Sequence, residues 1–255
     1  MINWIKALRL PVATLAILLA YVSFKISSVD VNSTALVALF FISCATMLQN
    51  DWRDRYHDIE KGKILAIKKS HLFFICLDTL WIISFLLILA ATAENKALGI
   101  ILALVALCGV LYSETRRVPF LPIFLVSITS ASPTLLPIAI GADWHKIWPL
   151  SITAALIILG REITKDIEDA HIDVGYKWTI PVAFGREKAE LAAVIAITAG
   201  LIVILAISFL ALPALIFGLR GVFLIINRGS LRVSRGFLDL SMAFSMMLLS
   251  VYHDA

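Results

Sequence analysis

Residues 34–58 read TALVALFFISCATMLQNDWRDRYHD. The first part of this stretch, through Leu48, is an apolar run of the kind that crosses a bilayer as a helix, and the rest brings three aspartates to the point where such a helix leaves lipid. Asp51, Asp54 and Asp58 are spaced i, i+3, i+7, which at 3.6 residues per turn puts them along one helix face. A polytopic all-α protein with a charged cluster at one membrane boundary is the reading that the rest of the chain has to meet.

The composition agrees. Of 255 residues, 60% are hydrophobic and 16% charged, with a mean hydropathy of +0.94. Soluble domains lie near half apolar and about a quarter charged. One packed core cannot use this much apolar surface, whereas a bilayer can. Nine apolar segments of spanning or near-spanning length are expected near 11–27, 34–55, 71–93, 97–113, 119–141, 147–168, 189–211, 213–227 and 237–253, as one membrane domain over 1–255. The first opens behind a basic flank and lacks the small-residue cleavage site of a signal peptide. Cys44, Cys76 and Cys108 lie far apart inside apolar runs, a pattern of small buried hydrophobes rather than of disulfides or a zinc site. Numbering the spans one to nine, the N-terminus and the even-to-odd loops carry 18 Lys and Arg, against 3 on the other side. The positive-inside rule makes the basic side cytoplasmic, in a multi-pass protein of a plasma (inner) membrane. The net charge of +4 is then topological and calls for no nucleic acid.

Three like charges on one stripe repel unless a cation lies among them, and carboxylate oxygens suit Mg²⁺, which completes its shell with water and phosphate oxygens. The plainer reading is an interfacial cap in which the acids pair with Arg53 and Arg55. A second cluster argues against it. GREITKDIEDAHIDVGYKWT, residues 160–179, follows span six on the same side, and Glu162, Asp166, Asp169 and Asp173 repeat the stripe at i, i+4, i+7, i+11. Two such stripes can face one another across a cavity and clamp a diphosphate through two metals. Lys63, Arg116, Arg117, Lys165 and Lys177 are cations fit for phosphate nearby. His57, His71 and His171 have no metal-ligand spacing and read as interfacial. The tryptophans lie mostly near span ends, as an aromatic belt does; Trp52 and Trp178 stand beside the acid clusters. Gly109 and Gly160 read as sites of close helix packing.

These residues carry a resemblance. NDWRDRYHD resembles the NDxxDxxxD motif of the UbiA family of intramembrane prenyltransferases, and DIEDAHID resembles its second motif, DxxDxxxD. YSETR, Tyr112 to Arg116, is similar to the YxxxK element between them, with Arg in place of Lys. The wording GREITKDIED…KWTIPVAFG is nearest the branch of digeranylgeranylglyceryl phosphate synthases and related aromatic prenyltransferases. The resemblance implies a nine-helix bundle around a cavity and Mg²⁺-dependent transfer of an isoprenoid from its diphosphate to a lipophilic or aromatic acceptor in the bilayer. It implies Asp51, Asp54 and Asp58, supported by Asn50, on one Mg²⁺, and Asp169 and Asp173, with Asp166 nearby, on the other. Lys63, Tyr112, Arg116, Lys165 and Lys177 are the expected substrate-binding residues.

The chain departs from the family after Asp58, where IEKGKILAIKKSH lacks the Pro and Arg of the usual NxPxRPIPSG-like loop. Lys61, Lys63, Lys68 and Lys69 replace its charge, but without the bidentate fork of Arg. Acceptor and prenyl length therefore do not carry over. An ion-coupled carrier and an inactive scaffold of the same fold are the alternatives; the acids at span ends on one side disfavour the first, and the presence of all the core acids disfavours the second.

Overall fold

A computed structural model describes residues 4, 7–115, 118–207 and 211–252. Among these residues there are helices and no strands, and nine helices have 11 residues or more. They are α1 Leu10–Ile26, α2 Ser33–Arg53, α3 Ser70–Glu94, α4 Lys96–Glu114, α5 Leu121–Ala131, α6 Trp144–Asp173, α7 Arg186–Ile207, α8 Leu212–Ile226 and α9 Leu231–Tyr252. Short helices at Leu65–Lys68 and Ile180–Phe184 lie in the connections.

Local signals account for the boundaries. Asn32, Asn95 and Asp143 cap α2, α4 and α6 by accepting from backbone N–H groups of the first turn. Prolines open α1, α5 and α8, where a missing N–H costs nothing. The expected fifth span is only half α-helical. After Ala131 it tightens into a 3₁₀ segment, Ser132–Ile140, because Pro133 and Pro137 withhold N–H donors from the α ladder.

Six of these elements are long and apolar enough to cross a membrane: α2, α3, α4, α5 with its 3₁₀ extension, α6 and α7. The helices α1 and α8 are apolar but shorter, at 17 and 15 residues, and α9 carries Arg232, Arg235 and Asp239. Nine spans are expected; the described residues hold nine helices of this length, of which six satisfy length and hydropathy together. Large apolar side chains, Ile82, Phe85 and Leu86 on α3 and Leu212, Ile216 and Phe223 on α8, are exposed. Patches of this kind suit lipid rather than water, and the protein is an integral membrane protein.

Packing makes a ring. The helix α1 touches α2 and α9; α2 touches α4, α4 touches α5, α5 touches α6, and α6 returns to α9. The helix α3 packs outside α2 and α4, α7 outside α6, and α8 outside α7 and α9. The α6–α7 contact is the most extensive and is close because Gly160 and Gly200 face the partner helix; a Cβ on Gly160 would lie 2.4 Å from Ile197 Cγ1 and 2.9 Å from the Ala193 carbonyl oxygen. Gly109 likewise admits Thr46 of α2. Both glycines pack as their sequence context suggests.

Candidate active site

The ring encloses a cavity of about 580 Å³. Its walls come from the ring helices, with Ile204 the single lining residue of α7 and none from α3 or α8. Most of the interior is apolar, with Leu15, Leu19, Leu39, Ile42, Leu150 and Ile157. One end is charged. There the N-terminal ends of α1 and α9 meet the C-terminal ends of α2, α4 and α6, bringing Arg9, Asp54, Asp58, Lys61, Lys63, Glu162, Lys165, Asp169, Lys177 and Asp239 to one surface. The two acid clusters, a hundred residues apart in sequence, therefore share one site.

The first cluster is not a continuous helical stripe. The helix α2 stops at Arg53, Asp54 is its C-cap, and Asp58 sits in a 3₁₀ turn, His57–Ile59. The Asp58 N–H still donates to the Asp54 carbonyl at 2.8 Å, so the turn keeps a helical register and the three carboxyl groups stay together. Asn50, Asp51, Asp54 and Asp58 are all buried. Their partners are not Arg53 and Arg55, as an ordinary cap requires. Arg53 bonds Glu114, and Arg55 lies over the Trp52 ring. Asp51 instead accepts from Arg9 at 3.1 Å and Lys63 at 3.2 Å, and Asp58 accepts from Lys63 at 2.7 Å.

The second cluster does lie on one continuous helix. Glu162 and Asp173 are buried, and Asp169 accepts from Lys61 at 2.6 Å. Asp173, 1% exposed, has Oδ1 3.1 Å from His57 Nε2, 3.6 Å from Lys177 Nζ and 4.0 Å from Lys61 Nζ, while its Oδ2 has no hydrogen-bond partner among the described residues. Lys177 also lies 3.6 Å from Asp54, and the Tyr176 hydroxyl donates to Asp54 at 3.2 Å. Lys177 thus stands between carboxylates of opposite clusters, and Lys61, from the loop after α2, pairs with the second cluster. As they stand, no three His, Cys, Asp or Glu side chains among the described residues converge closely enough to hold a metal ion.

Other expected residues lie at or beside this site. Tyr112 and Lys165 line the cavity, Lys165 paired with Glu162. Asp166 does not line it; it borders a side pocket of about 50 Å³ with Tyr112, Phe120, Trp178 and Thr179. Arg116 and Arg117 lie outside the described residues. Trp52 stacks on Phe73 and does not line the cavity.

Sequence reasoning missed several participants. His57, read as interfacial, contacts Asp173 and stacks on Tyr176 with ring centroids 4.0 Å apart. Arg9 looked like one more basic flank, yet it is the N-cap of α1, with a left-handed backbone (φ 46°) that aims its guanidinium at Asp51. Burial opposes the Arg9 charge, but Asp51, Tyr112 and Glu162 hold its pKa above the ordinary value. Across the cavity Arg161 makes a bidentate pair with Asp239 of α9, at 2.5 and 3.1 Å.

The fold has known relatives. A digeranylgeranylglyceryl phosphate synthase structure superposes with a TM-score of 0.70 at 20% identity, covering 98% of this chain and 97% of that one. A UbiA homologue from Aeropyrum pernix K1 gives 0.64 at 16% identity, over 95% and 96% of the two chains. A UbiA homologue from Archaeoglobus fulgidus bound to DMAPP and Mg²⁺ gives 0.63 at 17% identity, over 98% and 99%. No curated protein matches the sequence. The UbiA prenyltransferase family itself matches residues 10–235, a stretch that begins with α1, contains both acid clusters and ends inside α9: the chain belongs to that family of prenyl-transferring enzymes.

Proposed function

We propose that the whole chain acts as one Mg²⁺-dependent prenyltransferase domain, moving a prenyl group from an isoprenyl diphosphate to a lipophilic or aromatic acceptor within the bilayer. The observation that carries this reading is one cavity with a charged end, built from both acid clusters, that runs on between apolar walls. The donor has the same two parts, an anionic head and an apolar tail. The ligand set is hard oxygen throughout, and the buried Asp173 Oδ2 has no partner among the described residues, so the residues suit Mg²⁺. A relative of the same fold is bound to DMAPP and Mg²⁺.

In this reading Asp51, Asp54 and Asp58, with Asn50, hold one ion, and Asp169 and Asp173 the other. When bound, Mg²⁺ supplies the positive charge that lets the allylic C–O bond ionise as diphosphate departs. Lys61, Lys63 and Lys177, which neutralise the carboxylates at rest, turn to the phosphate oxygens, and Arg9 adds a fixed positive charge at the same end. Lys61 and Lys63 belong to the loop that departs from the family pattern, and they take over its cover of the head group. Leu15, Leu39, Ile42 and Ile157 keep water from the allylic cation. The acceptor attacks C1 of the prenyl group and gives up a proton; no protein side chain becomes covalently bound. The excess of Lys and Arg at the charged end supports nine spans with that end at the cytoplasmic face of an inner membrane.

The test is a transfer assay on purified protein in detergent. Labelled geranyl, farnesyl and geranylgeranyl diphosphates are supplied with and without Mg²⁺ over a membrane lipid extract. Mg²⁺-dependent diphosphate release with a labelled lipid product supports the reading, and the mass of that product identifies the acceptor. No turnover with any donor refutes it.

A further inference from the structure

His57 lies within the first acid cluster, between Asp54 and Asp58, and Tyr176 follows the second. Their rings are parallel, 4.0 Å apart at 17°. Each reaches past the other to the opposite cluster. His57 Nε2 is 3.1 Å from Asp173 Oδ1, and a carboxylate only accepts, so Nε2 carries the hydrogen. The Tyr176 hydroxyl donates to Asp54 Oδ1 at 3.2 Å. Both acceptors are buried, Asp54 at 3% and Asp173 at 1% exposure. The lysines also cross between the clusters, but they are long, flexible and needed by the diphosphate. A stacked imidazole and phenol lose little freedom on ordering.

Resting on the proposed function, we propose that His57 and Tyr176 are positioning residues, a reciprocal aromatic clasp that fixes Asp54 and Asp173 relative to one another and so sets the spacing of the two metal sites. The hydrogen bonds are of the outer kind that orients a ligand, whose loss costs about 10- to 100-fold in metal affinity. The clasp also ties the loop after α2, where the chain departs from the family pattern, to the loop after α6.

The test uses Mn²⁺ as a spin-active substitute, titrated into the full-length protein and followed by electron paramagnetic resonance. A thiolo analogue of geranyl diphosphate, which resists ionisation, is present throughout. Tyr176→Phe keeps the ring and removes only the hydroxyl; His57→Gln keeps an N–H donor and removes the ring; His57→Ala removes both. The expected result is Mn²⁺ binding weakened about 10- to 100-fold in His57→Ala, with a smaller loss in the other two. His57→Ala/Tyr176→Phe should be less impaired than the product of the single losses, because the two residues act as one unit. Unfolding temperatures of the Tyr176→Phe and His57→Gln proteins should stay near that of the parent. Parent-like Mn²⁺ binding in all the variants, or losses that multiply independently, would overturn the clasp while leaving the function standing. A parent protein that binds no Mn²⁺ with the analogue present would overturn the reading of the site itself, and the clasp with it.

Discussion

Asp173→Asn changes one atom at the most buried acid of the site and separates the roles of charge and shape. The carboxylate has Lys177 at 3.6 Å and Lys61 at 4.0 Å, each no more than 18% exposed. At an effective dielectric of about 20, either attraction is worth roughly 4 to 5 kcal/mol before desolvation is charged against it. Little of this reaches folding stability. Lys61 keeps Asp169 at 2.6 Å, Lys177 keeps Asp54 at 3.6 Å, and the amide oxygen still accepts from His57. The loss of fold stability is therefore about 1 to 2 kcal/mol. Catalysis has no such second partner, because the missing charge is one that must face the metal and the departing diphosphate. A preorganised electrostatic contact of this kind is worth about 3 to 4 kcal/mol, or roughly 10²- to 10³-fold in rate. The assay measures prenyl transfer at saturating donor beside the elution profile of the detergent-solubilised protein. A variant within threefold of the parental kcat would refute the reasoning, and so would one that no longer elutes as a folded species.

Three further outcomes are expected. Gly160→Val should lower the unfolding temperature in detergent, at a cost of about 1 to 3 kcal/mol, because its Cβ meets Ile197 and an α7 carbonyl that cannot yield; an unchanged temperature would mean that α6 and α7 are not held this close. Chelation with EDTA should stop transfer, and added Mg²⁺ should restore it; activity that survives chelation would rule out metal-held diphosphate. Asp239→Leu should destabilise the α6–α9 contact by leaving Arg161 with Glu162 alone, and Arg161→Met on that background should recover stability, since an ion pair partly withdrawn from water is often replaceable as a unit; a double variant as impaired as the sum of the singles would contradict this.

Much of this arrangement is legible in the sequence because it is periodic. Apolar runs give the helices, and aspartates at i, i+3, i+7 and i, i+4, i+7 report a shared face even where the helix ends at Arg53 and the register passes into a turn. Sidedness of charge places both clusters at one end. The unreadable remainder is nonlocal. Nothing in IEKGK says that Lys61 bonds an aspartate 108 residues away, and Arg9 has the composition of any membrane-flanking arginine until its left-handed backbone aims it inward. His57 has neighbours that suggest water, whereas its ring partner arrives from the far side of the bundle. The half-3₁₀ character of the fifth element was visible in Pro133 and Pro137, but hydropathy averages over prolines and reports a single span.

The helix α6 is 30 residues long and unbroken, about 45 Å from end to end. The oily layer of a bilayer is about 30 Å thick. Its length exceeds that thickness by some 15 Å, about ten residues, and the last ten residues of the helix bear Asp166, Asp169 and Asp173. Water-loving and oil-loving halves of a reactant can each stay in their own phase while the bond between them breaks. In the proposed reaction, diphosphate would leave where it is soluble and the lipid product would stay in its own solvent, a partition that helps keep the reaction from running backwards.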